Sequence, residues 1–320
     1  MRTNPRNLNY KELFSHPELV QQLIEGFAPP EVATMMDFAI LTNHSGHYIT
    51  PLFEEKIDDV VWSVEVAWQG LRQRVFLFLL LEFQSSVDAR VAIRLLHYVA
   101  CFYDHLLKTK VTSLKQGLPP LLPIVLYNGV GRWTAARDIH GLVRPKPPAF
   151  LRHYQPHLRY LVIDEGRYSQ DELAAINSPL TGLFEVENAS SDWASLQAAV
   201  DRLAALIRAD PNKERLDRLI TRWLKRHLKR LGNRIDLGQV HSLTEDKAML
   251  VENLEHLVKR ERQDGRKAGH KAGRKEGREE SARETARNFI KLGLLTDEQI
   301  AQTTRLPLQQ VRALHGNYDD

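Results

Sequence analysis

A chain of 320 residues with 43% apolar side chains has core-forming material for one sizeable domain with an appendage, or for two domains, which excludes a disordered chain. Its single cysteine, Cys101, excludes an internal disulfide framework and thiolate-rich zinc sites, and points to a reducing compartment, the cytoplasm first. The longest apolar stretch, Val75 to Leu81, is too short to span a bilayer, and the amino terminus carries no apolar run of the secretory kind, so neither a membrane location nor export is expected.

The net charge of +4 is unevenly placed. Residues 210–234 hold nine Lys/Arg against three acids (+6) and residues 259–287 hold eleven against six (+5), so the rest of the chain carries −7. Such basic stripes attract polyphosphate backbones, and they also occur as solvated faces of helices rich in good helix formers.

In chain order, residues 9–27 space Leu13, Phe14, Leu19, Leu23, Ile24 and Phe27 as one or two short helices, closed by Pro29 and Pro30. "VVWSVEVAW" (60–68) alternates like a half-buried strand, and "LRQRVFLFLLLEFQ" (71–84) reads as a longer strand buried on both faces. The two form an expected hairpin across Gln69 and Gly70. A helix follows, with Val91, Leu95, Val99, Phe102 and Leu106 on one stripe and Asp88 as its early-turn acid. "LLPIVLY" and "LRYLVID" are strand-like, the first followed by the turn signal "NGVGRW" and the second ending in Asp164; from about 170 to 231 the period is helical. Helix, hairpin, helix, strand, strand, helices is the order of a mixed α/β domain.

The tail is of another kind. Gly265, Gly269, Gly273 and Gly277 recur every four residues, which makes either a flexible tether or a helix stabilised by a partner along that stripe; a homodimer through the tail is the corresponding expectation. About three short helices follow, with a capping box at Thr296 and Gln299 and a last helix starting at Leu306-Pro307. "TDEQIAQTTRLPLQQVRAL" has the lengths of a helix-turn-helix, although its second helix offers only Gln309, Gln310 and Arg312 as polar contacts, so a packing or dimerising unit is an equal expectation.

The chemistry concentrates in "LLLEFQSS" (79–86). Residues 82 and 84 of a strand point to one face, so Glu82 and Gln84 can share a ligand. A buried unpaired carboxylate is costly, and a cation, a basic partner or a place at the open end of the sheet relieves it. "KIDDVVWSV" offers Asp58 and Asp59 at the start of the paired strand, and an acid there would complete a hard-oxygen site suited to Mg²⁺ or Mn²⁺. A one-residue slip exchanges which of the two aspartates faces the site.

Five stretches in order, "YKELFSHPELVQQLIEGF", "DDVVWSV", "LLLEFQSSVDARVAIRLLHYV", "LPIVLYNG" with Trp133, and "YLVID", resemble the Rpn recombination-promoting nucleases, also called YhgA-like transposases, of the PD-(D/E)XK superfamily. The likeness covers roughly the first 165 residues, and the glycine-punctuated tail with its small helical module is similar too. It implies a restriction-endonuclease-like mixed sheet flanked by helices with a small all-helical C-terminal module, divided as 1–235, a helical Gly-punctuated basic linker over 236–285, and 286–320. It also implies a metal-dependent endonuclease of double-stranded DNA, with a role in recombination or defence. Asp59 and Glu82 would be the motif acids, holding Mg²⁺ or Mn²⁺ together with the Phe83 carbonyl, and Gln84 stands where the superfamily usually has lysine. An amide supplies no positive charge to the scissile phosphate, which leaves open a nuclease-fold DNA-binding or toxin-like protein without turnover. Glu12, Asp164 and Arg94 match accessory positions. Each also has a plain reading: a helix-surface acid, a turn cap and a salt bridge. His140, His153 and His157 show no metal-ligand spacing, and Ser85 and Ser86 lie in no nucleophile elbow.

Overall fold

The computed structural model describes residues 5–44, 60–68, 71–189, 193–231 and 240–315; for residues 5–8, 67–68, 71–84, 193, 231, 268, 271, 272, 315 and most of 247–265 it describes the backbone alone. Two compact units divide the chain, Met1–Asn253 and Leu254–Asp320.

The first unit opens with α1 (Pro5–Leu13), α2 (Pro17–Phe27) and α3 (Pro30–Met35). Proline stands in the first turn of α2 and of α3, where its missing N–H is no loss. The spacing that predicts helix over 9–27 becomes one buried face of α2: Leu19, Val20, Leu23, Ile24 and Phe27. Strand β1 (Met36–Asn43) has no counterpart among the expected elements. Its "MDFAILTN" does not alternate, and only Met36 is buried, because β1 is the sheet's edge.

Strands β2 (Val60–Trp68), β3 (Leu71–Gln84), β4 (Leu121–Tyr127) and β5 (Leu161–Asp164) complete a five-stranded sheet in the order β1-β2-β3-β4-β5. The first three are antiparallel, which bears out the hairpin pairing of β2 and β3, although its turn at Gln69 and Gly70 lies outside the described residues. The last three are parallel, so β3 is hydrogen-bonded along both edges. A strand enclosed in this way carries the continuous apolar run seen in its sequence. Helix α4 (Val91–Lys108) makes the crossover from β3 to β4 and packs Val91, Ala92 and Leu95 with Val125, Tyr127, Trp133 and Tyr160. It starts three residues after Asp88, which is therefore not an early-turn acid: its carboxylate accepts the Arg90 amide at 2.9 Å in the preceding turn.

Beyond β4 the chain includes the short helix α5 (Ala149–Arg152) before β5. After β5 come α6 (Gln170–Ile176), α7 (Pro179–Asn188), α8 (Trp193–Ala209) and α9 (Lys213–Leu231). Ser169 with Glu172, and Ser178 with Thr181, close capping boxes on α6 and α7. Buried Asp217 on α9 accepts from the Ser242 hydroxyl (2.6 Å), the Leu243 amide (2.8 Å) and the Thr244 hydroxyl (3.0 Å), which fastens residues 242–244 to that helix.

In the second unit the glycine repeat is not a tether but part of one helix, α10 (Lys247–Leu292). Its Lys, Arg, Glu and Ala residues are strong helix formers and offset the glycines. A Cβ at Gly269, Gly273 or Gly277 would meet nothing within 4 Å. Helices α11 (Asp297–Thr304) and α12 (Leu308–His315) close a small core of Ala286, Ile300, Leu306, Val311 and Leu314, and the Thr296–Gln299 capping box forms as its spacing predicts. No described helix is long and apolar enough to cross a membrane.

Helices α7 and α8 meet closely at Gly182 of α7, where an added Cβ would lie 2.9 Å from Leu203 Cδ1 and 3.1 Å from Leu203 Cα on α8. Backbone cannot yield as a side-chain tip can. Gly182→Ala is expected to lower the unfolding free energy by about 1–3 kcal/mol; an unchanged denaturation midpoint would contradict the close packing.

Candidate functional site

The apolar body of β3 ends in Glu82, Phe83 and Gln84, and their backbones are paired on the β4 side: Glu82 with Val125, Phe83 with Leu126, Gln84 with Tyr127. On the other side Val60 of β2 pairs with Leu81. Asp58 and Asp59 lie outside the described residues, as do the side chains of Glu82 and Gln84. The covalent neighbour of Asp59 is thus paired with the covalent neighbour of Glu82, and consecutive Cα atoms are about 3.8 Å apart. Trp62 holds this end of β2 to the helical layer, its indole N–H donating to the Phe14 carbonyl at 2.8 Å.

Asp164 belongs to the same row. The register runs Gln84, Tyr127, Asp164 across three parallel strands, so roughly 10 Å of backbone separates the first from the last. Asp164 is buried, and its carboxylate accepts the Trp133 amide at 3.2 Å from the "NGVGRW" loop. Tyr127 covers the same loop: a Cβ at Gly129 would collide with its hydroxyl. Glu12 sits on α1, where it pairs with Arg226 and, at 3.6 Å, with Arg222, both from α9. Arg94 on α4 bonds Asp88 at 2.8 Å. The three accessory positions therefore share no partner among these contacts.

A buried polar chain that sequence reasoning missed lies beside the ends of β4 and β5. Tyr10 of α1 is 2% exposed, and its hydroxyl donates to Glu165 Oε2 at 2.7 Å. Glu165 follows Asp164 directly, and its carbonyl accepts from Asn188 at 3.2 Å. Glu187, at the end of α7, meets His227 at 3.3 Å and Arg230 at 3.8 Å, and His227 stacks on Trp223 with ring centres 5.1 Å apart. Burial first, then the negative charges of Glu165 and Glu187 and the bond to Glu165, hold the Tyr10 hydroxyl well above the ordinary tyrosine value, while Asn128 acts against them. The signals were present as the Tyr of "YKEL", the Asn after "LPIVLY" and the acid after "YLVID", but nothing local joins them.

His140 and His157, distant in sequence, stack with centres 4.8 Å apart. Among the described residues no group of three or more His, Cys, Asp or Glu could hold a metal ion. Asp59 and the Glu82 carboxylate are not among those residues.

Tyr10→Phe would leave buried Glu165 without this donor and is expected to destabilise the fold by about 1–3 kcal/mol at neutral pH. The raised hydroxyl also has a consequence in alkali. Above the ordinary value of 10.0 the unfolded chain loses a proton that the folded chain keeps, so this group's contribution is complete below that pH and falls by about 1.4 kcal/mol per unit above it. Denaturation between about pH 9 and 11, the window in which an unfolded tyrosine ionises, should show a shallower decline in Tyr10→Phe than in the parent.

The family described as "Putative transposase, YhgA-like" matches residues 4–216 of the chain. Two proteins of Escherichia coli (strain K12) are also similar: recombination-promoting nuclease RpnC, 28% identical over 128 residues, and recombination-promoting nuclease RpnA, 25% identical over 129. The aligned part is 40% of this chain in both cases, and it spans 40% and 41% of those relatives. No solved structure matches.

Proposed function

Because the chain belongs to the family of YhgA-like transposases, we propose that it is a Mg²⁺- or Mn²⁺-dependent endonuclease of double-stranded DNA, working in the cytoplasm in recombination or in defence against foreign DNA. The names of the two similar Escherichia coli proteins support a nuclease role in recombination. The observation that carries the reading is the rung Val60↔Leu81, the last described pair before Asp59 on one strand and Glu82 on the other. An all-oxygen donor set of two carboxylates and the Phe83 carbonyl fits a small hard cation. Such a cation supplies charge neutralisation at the phosphate and a lowered pKa for water. In this reading Asp59 and Glu82 hold it, and Gln84, with one amide donor pair and one acceptor, orients the attacking water in line with the scissile bond. Asp164 closes the row on the far side. A second copy of the chain, joined through the glycine stripe of α10, is the proposed partner besides DNA.

Incubation of the purified protein with supercoiled plasmid, with Mg²⁺ and with EDTA, tests the proposal. Nicking that requires the metal and disappears in Glu82→Ala, while duplex binding survives, is the expected result. Gln84→Ala should slow cleavage by roughly 10²-fold, the scale of a misplaced nucleophile. Binding without cleavage under any divalent metal would overturn the enzyme and leave a DNA-binding protein of the same fold.

A further inference from the structure

Helix α9 separates its residues with unusual sharpness. Leu216, Ile220, Trp223, Leu224 and Leu228 are buried, whereas Arg215, Arg218, Arg222, Arg226 and Lys229 are exposed, recurring at three- and four-residue steps along one face. The apolar side is consumed by packing against the core, so it has nothing left to insert into a membrane. The outward side carries no apolar group to anchor a protein partner. What it presents is positive charge from Arg215 to Lys229, about 21 Å of helix, the length of about six phosphate steps along one strand of duplex.

The acids around this stripe hold it in place without cancelling it. Glu12 of α1 engages Arg222 and Arg226 together, and Glu18 of α2 engages Arg215 at 2.9 Å. Those arginine side chains are still 62%, 44% and 52% exposed, in that order. A guanidinium has five N–H donors in a fixed fork, and a carboxylate occupies two at most, so the outward donors remain available at fixed positions. Exposed ion pairs of this kind contribute only about 0–1 kcal/mol to stability, too little to account for five cations in a row. Arg218 and Lys229 form no ion pair among the described residues. Helix α9 packs on α1, which in turn packs on β3.

We infer that the exposed face of α9 grips the phosphate backbone of duplex DNA, with Glu12 and Glu18 acting as positioning residues that pre-set its arginines. This surface deepens the proposed nuclease function and rests on that reading, naming where the duplex lies rather than how it is cut.

The test is equilibrium binding of the full-length chain to a short fluorescent duplex in EDTA, by anisotropy across a series of salt concentrations. Arg218→Gln/Lys229→Gln removes two cations of the stripe without stranding an acid. The charge-matched control Lys115→Gln/Lys146→Gln alters exposed lysines elsewhere. The stripe variant should bind every duplex sequence at least about threefold more weakly and reduce the slope of log affinity against log salt by about two, whereas the control keeps the parent slope. A parent slope in the stripe variant, or an equal loss in the control, overturns the inference. Metal-dependent plasmid cleavage, measured separately, stands or falls on its own: intact cleavage with an unchanged slope sinks only the surface, and a reduced slope without any cleavage sinks only the enzyme.

Discussion

An apolar strand that ends in a carboxylate has to place that charge, and β3 has no free edge on which to do so. It is hydrogen-bonded to β2 on one side and to β4 on the other, up to and including Gln84 on the β4 side. Its register is therefore set twice, and a slip of one residue would exchange the positions of Glu82 and Phe83 at the strand end. Everything proposed for the candidate site depends on this double pairing. It fixes Glu82 beside Val125 and one residue past the Val60 rung, and it places Asp164 in the row of Gln84.

The helical layer serves the same strand end. Tyr10 and Leu13 bury the inner side of α1, and buried Phe14, just past its end, accepts the Trp62 indole N–H of β2 at its carbonyl. Behind α1, Glu12 turns the other way to α9. One short helix thus has an apolar side that supports the sheet and an acid that orders the arginines of the inferred DNA face. The buried chain from Tyr10 through Glu165, and from Glu187 to His227, adds fixed polar contacts at the ends of β4, β5, α7 and α9. Groups of this sort are satisfied in a few geometries only, so they narrow the ways in which these elements can pack.

Much of the fold was legible because its elements have clean periods. Two-residue alternation in β2, the apolar run of β3 and the three-to-four spacing of α2, α4, α8 and α9 are each the imprint of one buried face. Strand β1 was not legible, since an exposed edge strand leaves no such imprint. The glycine repeat was ambiguous for the opposite reason: its glycines argue for a tether, while the Lys, Arg and Glu between them argue for helix, and the helix formers win. At the site, the positions of Glu82 and Gln84 on a strand end followed from the pattern of β3 alone. Partners did not. Tyr10 and Glu165 are 155 residues apart, and Glu12 and Arg226 are 214 apart. Such pairings depend on how helices pack over the sheet, which no local spacing records, and so the two arginines that Glu12 meets could not be named from the sequence.

The most direct measurement is of the cation itself. Titration of the metal-free full-length chain with Mn²⁺, following the free-ion resonance by electron paramagnetic resonance, should show saturable binding that disappears in Asp59→Asn and in Glu82→Gln, with both variants still folded by circular dichroism. Binding that persists undiminished in both variants would mean that the two acids do not share an ion, and the account built on the end of β3 would be wrong.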